Sequence, residues 1–125
     1  MPSSPRLRAG LWTLILLPAL LAAGGCHSYH VETTVENRTG AGIQLLEVDY
    51  PSASFGADRL AAGAEFHYRI QIQGSGQIKV QYTAPGGHQE QITGPRLSQG
   101  QQGQFQIVLL PGGKAEFHPK LTPEL

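Results

Sequence analysis

Between Glu65 and Gln73 every second residue is apolar: Phe66, Tyr68, Ile70 and Ile72 alternate with His67, Arg69, Gln71 and Gln73. A two-residue period places the two sets on opposite faces of an extended chain, which a helix of 3.6 residues per turn cannot do. The period returns in Ile78, Val80 and Tyr82 against Lys79, Gln81 and Thr83, in Tyr29, Val31, Thr33 and Val35, and in Phe105, Ile107 and Leu109. No useful helical stripe occurs after Ser28. The body of the chain is therefore expected to be all-β.

Turn chemistry separates the runs. Asn37-Arg-Thr-Gly40, Gly74-Ser-Gly76, Pro85-Gly-Gly87 and Pro111-Gly-Gly113 each carry residues that reverse a chain at low cost. The run from Gly42 to Tyr50 changes parity between Ile43 and Leu45 on one side and Leu46, Val48 and Tyr50 on the other, which predicts a β-bulge near Leu45 and Leu46. Residues 65–73, 77–83 and 88–93 are expected to form a meander. A polar, Gln-rich connection over 94–103, a short final strand near 115–118 and a weak strand near 57–60 complete the list. Seven to eight strands fit one antiparallel two-sheet sandwich over residues 31–120, with residues 121–125 frayed.

Two segments carry a resemblance. Val35 to Val48, "VENRTGAGIQLLEV", is similar to the strand, Asn-x-Thr-Gly turn and strand of many small secreted sandwiches, and "LAAGAEF" at 60–66 resembles their L-x-x-G-x-x-F corner. The resemblance implies an immunoglobulin-like or fibronectin-type sandwich in which Leu60 plugs one end and Gly63 lets the chain swing into the next strand. Asn37 is expected to act as a turn former, a residue type that tolerates positive φ, and not as a glycosylated residue, although Asn37-Arg-Thr39 fits the acceptor pattern.

The first quarter of the chain reads differently. Arg6 and Arg8 precede the apolar run "LWTLILLPALLA" at 11–22, which contains Pro18 and is shorter than the roughly 20 residues that span a bilayer. This is the layout of an export signal. Small residues Ala23, Gly24 and Gly25 then lead into Cys26, the only cysteine. "AAGGC" resembles a bacterial lipobox, with Ala23 where leucine is commonest. The resemblance implies a lipoprotein signal peptide over 1–25, lipidation of Cys26, a tether over 26–30 and a membrane as partner. His27 in place of an aspartate after the cysteine favours the periplasmic face of the outer membrane. One cysteine leaves no internal disulfide, so the domain must rest on its core.

Loss of Arg6 and Arg8 with the signal leaves seven bases against nine acids, a net charge of −2 with histidines neutral. That balance gives no electrostatic case for nucleic acid, and none is expected as partner. Five histidines, His27, His30, His67, His88 and His118, show no spacing typical of metal ligands, so no metal and no cofactor is expected. Ser52, Ser54, His67, Asp49 and Asp58 are the candidates for a nucleophile and its base, but neither a G-x-S-x-G elbow nor a nucleotide fingerprint is present, and no enzyme is expected. Glutamines crowd the outward positions of the second half, as suits a solvated sheet face. The candidate binding segment is "DYPSASFGAD" at 49–58, where Tyr50, Pro51, Ser52, Ser54 and Phe55 combine hydroxyls, aromatics and a stiff proline in an expected loop. Two functions follow: a binding or envelope-assembly module for an envelope protein or cell-wall partner, or an inhibitor of an exported protease acting through that exposed loop.

Overall fold

The computed structural model describes residues 29–124. They form eight strands: β1 Val31–Asn37, β2 Ile43–Tyr50, β3 Ala53–Leu60, β4 Glu65–Ile70, β5 Gly76–Thr83, β6 Gln89–Leu97, β7 Gln102–Leu110 and β8 Lys114–Thr122. One sheet has the order β4-β1-β7-β8 and the other β3-β2-β5-β6. All neighbours are antiparallel except β1 and β7, which run parallel with Val31 beside Gly103 and Asn37 beside Leu109. The expected all-β sandwich is present, with its first strand in the interior of a sheet and not at an edge.

The alternation predicts the core except at Tyr29 and Tyr68, which belong to the inward set but are 46% and 45% exposed. Val31, Val35, Ile70, Phe105, Ile107 and Leu109 from the first sheet meet Ile43, Val48, Ile78, Val80, Tyr82 and Leu97 from the second, all buried. Each fully buried side chain of this size contributes roughly 1.5–3 kcal/mol. The predicted bulge is also there. Gln44 pairs with Thr83 but Glu47 with Gln81, so β2 carries one more residue than β5 between those points, and Leu45 adopts φ 51.

Several expectations change. The meander breaks after β4, because the link over 71–75 crosses from one sheet to the other; a two-residue period marks a strand but carries no information about which sheet the next strand joins. The connection expected over 94–103 is mostly strand. β6 runs through a bulge at Gly94 and Pro95 and ends at buried Leu97. A side chain at Gly94 would meet Ile78 Cγ2 and Phe117 Cε1 at 2.6 Å, so glycine there lets the two sheets close. The expected frayed end is ordered as far as Thr122, because Leu121 pairs with Gly103 and is buried at 7% exposure.

Asn37 forms the expected turn through its side chain and not through its backbone conformation. It lies at the end of β1 without positive φ; Gly40, at φ 90, takes that conformation in the turn. The asparagine is wholly buried. Its Nδ2 donates to the carbonyls of Ala41 at 2.8 Å, Leu60 at 3.0 Å and Ala61 at 3.2 Å, while Oδ1 accepts from Thr39 N and Thr39 Oγ1. Its own backbone bonds Gly63 and Ala64. One side chain thus ties the β1–β2 turn to the corner at 60–66, where Leu60 is buried and Gly63 has φ 77 as the resemblance implied.

Candidate binding surface

The segment 49–58 is a hairpin and not a loop. β2 and β3 pair from Ile43 opposite Leu60 to Tyr50 opposite Ala53, joined by Pro51 and Ser52 alone. Proline presets the first φ and Ser52 takes φ 86, the signs of a type II turn. The segment was expected to be a loop because Pro and two serines interrupt the alternation. The ladder forms because the cross-strand pairs Val48–Phe55 and Leu46–Ala57 bury apolar surface on one face.

The candidate residues divide accordingly. Phe55 is 6% exposed and belongs to the core, whereas Tyr50 is half-buried against it. Ser52 and Ser54 are exposed, and Pro51 lies beside Gly76 at the start of β5. Phe55 stacks on Tyr68 with ring centroids 4.8 Å apart and 12° between planes, and lies 6.1 Å from Phe66 and 6.2 Å from Tyr50. These four rings close the side of the sandwich where the edge strands β3 and β4 face each other. Tyr68 was expected inside. It points inward but is 45% exposed, because an edge strand has no further strand to cover it.

Burial raises the Tyr50 phenol above its ordinary range, and burial does the same for Tyr82, with Glu90 adding to it. Asp49, opposite Lys79 on the outer face of the second sheet, is also raised, first by burial and then by Glu47, while Lys79 opposes the shift. Beside it Gln81 Nε2 donates to Glu47 Oε2. Leu45 stands out from this face at 64% exposure, between a hollow of about 390 Å³ edged by Glu47, Gln81 and Gln91 and one of about 570 Å³ edged by Ser54 and Gly56.

The outer face of the first sheet is a grid of cross-strand rows. Glu65, Glu36, Val108 and Glu116 form one row; His67, Thr34, Gln106 and His118 the next; Arg69, Glu32, Gln104 and Lys120 the third. Arg69 Nε meets Glu32 at 2.7 Å and Arg38 Nε meets Glu36 at 2.7 Å; the hydrogen bond and charge of Glu36 raise the Arg38 guanidinium further. His67 pairs with Thr34 Oγ1 at 3.0 Å and with Glu65 at 3.3 Å. Ser52, Ser54, Asp49 and Asp58 belong to the other sheet, so the structure does not bring them to His67. Among the described residues no three His, Cys, Asp or Glu side chains converge as metal ligands.

Two features escaped the sequence reading. Gln101 is buried, accepting from Ser98 N at 2.8 Å and donating to Pro123 O at 2.9 Å, a local cap that no periodicity announces. The edge position of the aromatic cluster depends on strand order, which a single strand does not encode. Cys26 lies outside the described residues. Among the described residues no helix is long and apolar enough to cross a membrane.

No family model and no curated protein matches the chain. Among solved structures, the NMR structure of a protein from Eubacterium rectale is similar in fold, with a TM-score of 0.57 and 9% identity over 77% of this chain and 95% of that one.

Proposed function

We propose that this chain is a lipid-anchored exported protein of the bacterial cell envelope, whose sandwich acts by binding an envelope protein or cell-wall partner. The observation that carries this reading is "AAGGC" behind an apolar run, with Cys26 only five residues before the first strand at Val31. Five residues span at most about 17 Å, so the anchor would hold the domain close to the lipid surface. Two or three acyl chains on that cysteine would make the attachment effectively permanent.

The strand register supports a division of labour between the two ends. Val31 lies level with Ile70 and Gly103, so the tether leaves from the end that also carries Pro51, Ser52 and the links at 71–75 and 98–101. The turns at 38–42, 61–64, 84–88 and 111–113 form the far end, which an anchored domain would present to its partner. A two-residue hairpin at Pro51 and Ser52 offers little to insert into a protease cleft, which favours the binding reading over the inhibitor reading.

Labelled palmitate supplied to cells expressing the full chain tests the anchor. The wild type is expected to incorporate label and sediment with membranes, and Cys26→Ala to do neither. Wild-type protein recovered unlabelled in the soluble fraction would overturn the reading.

A further inference from the structure

The four edge strands of the sandwich are not alike. β6 is bent by the bulge at Gly94 and Pro95, β8 contains Pro119, and β3 contains Gly56 and lies opposite the strained Leu45. Proline, glycine and bulges are among the devices by which proteins blunt a sheet edge against further pairing, as are charged side chains and short strands. β4, Glu65–Ile70, has no proline, glycine or bulge, and its charged residues are of both signs, so they repel a like-charged edge but not a complementary one. It is an edge of six residues whose free side pairs with no strand among the described residues.

Its sequence is also its own complement. When "EFHYR" at 65–69 meets a second copy antiparallel about His67, Glu65 falls opposite Arg69 and Arg69 opposite Glu65 on the outer face. On the inner face Phe66 falls opposite Tyr68, and Tyr68 opposite Phe66. Opposite charges and aromatic pairs directly across a ladder are the favourable cross-strand combinations. Shifting the axis by one residue, to Phe66 or Tyr68, sets His67 opposite Glu65 or Arg69 and removes both Glu–Arg pairs. The side chains reach solvent, since those of Glu65, His67 and Arg69 are 47%, 69% and 64% exposed, although Glu65 contacts His67 and Arg69 contacts Glu32 within one copy. Arg69 keeps donors to spare beside Glu32, because a guanidinium carries five N–H groups.

The geometry points to β4 as an isologous interface, by which two copies of this chain join edge to edge and their four-stranded sheets become one of eight strands. This goes beyond the anchoring reading and does not depend on it. Because the strands pair antiparallel, the two starts of β1 lie at opposite ends of the joined sheet. If Cys26 is lipidated, the pair would lie with its strands along the membrane surface, and only an unpaired copy would hold the turns of the far end away from it.

Two differently tagged full-length copies, co-expressed and co-purified, test the interface. Wild-type copies are expected to co-purify. Pairing E65R with E65R, or R69E with R69E, sets like charges opposite each other twice and should reduce recovery about tenfold or more. Pairing E65R with R69E restores opposite charges at both positions and should restore recovery. Equal recovery in every combination, as sharing a detergent micelle would give, overturns the proposal, as does absence of wild-type co-purification. A second measurement avoids the charged variants. In a Cys26→Ala background, which removes the native thiol, His67→Cys lies on the two-fold axis and should cross-link to a dimer under a mild oxidant, whereas Gln104→Cys, exposed on the same face two strands from the edge, should stay monomeric. Equal cross-linking of both, or of neither, would refute the axis.

Discussion

Asn37 makes more specific contacts than any other polar side chain described, and its removal should be felt accordingly. Asn37→Ala removes a donor from the carbonyls of Leu60, Ala41 and Ala61 and an acceptor from the Thr39 hydroxyl. An expected loss of about 3 kcal/mol, measured by urea unfolding, follows from losing several hydrogen bonds at a buried side chain. Thr33 is the opposite case. Its hydroxyl is buried in β1 with no partner, so Thr33→Val removes an unsatisfied group at constant shape and should leave stability unchanged or raise it by up to about 1 kcal/mol. Asp49 supplies the pH prediction. Its carboxyl is raised by burial, so the native state holds the proton more tightly than the unfolded chain does, and this residue's contribution to stability falls as pH rises through its folded pKa. Asp49→Asn should therefore stabilise the domain at neutral pH, with the difference shrinking as pH drops through the carboxylate range; a difference that grows in acid would reverse the sign.

At the scale of elements, the β2–β3 hairpin shows how a segment with loop-like composition becomes part of the core. Tyr50 and Phe55 flank the turn and belong to one aromatic cluster, yet burial separates them. Phe55→Ala should cost about 3–5 kcal/mol in thermal or chemical unfolding, and Tyr50→Ala about 1–2 kcal/mol. Equal, small losses at both positions would place the hairpin outside the cooperative core. The alternation in β4 and β5 was legible in the sequence because each side chain's face follows from its neighbours. The extent of β6 and β8 was not. Their polar and proline-containing ends form strand only because Leu97 and Leu121 find a partner sheet to cover them.

At the scale of the whole molecule, two four-stranded sheets bury one core without a disulfide and present outer faces of opposite-charge pairs, histidines and glutamines. The histidines lie with carboxylates along the strands, His67 near Glu65, His88 near Glu90 and His118 near Glu116, and not with one another. Micromolar zinc or copper, or a chelator, should leave the melting temperature where it is, since a ligand that binds the native state must stabilise it. A shift of several degrees would reveal a site assembled from these pairs.

The sequence by itself determined the two-residue period, the bulge at Leu45 and the inward set from Val31 to Leu109, because each is set by local sterics and by which side chains avoid water. The corner at 60–66 was legible only through its resemblance to the L-x-x-G-x-x-F corner of small secreted sandwiches. Only the tertiary structure decided that β1 runs parallel to β7, that Tyr68 lies at an edge and Phe55 inside, that Asn37 bonds the corner 24 residues away, and that β4 is left unguarded. These depend on which strands become neighbours. That choice is made by the packing of two complete faces against each other, and no single strand carries it.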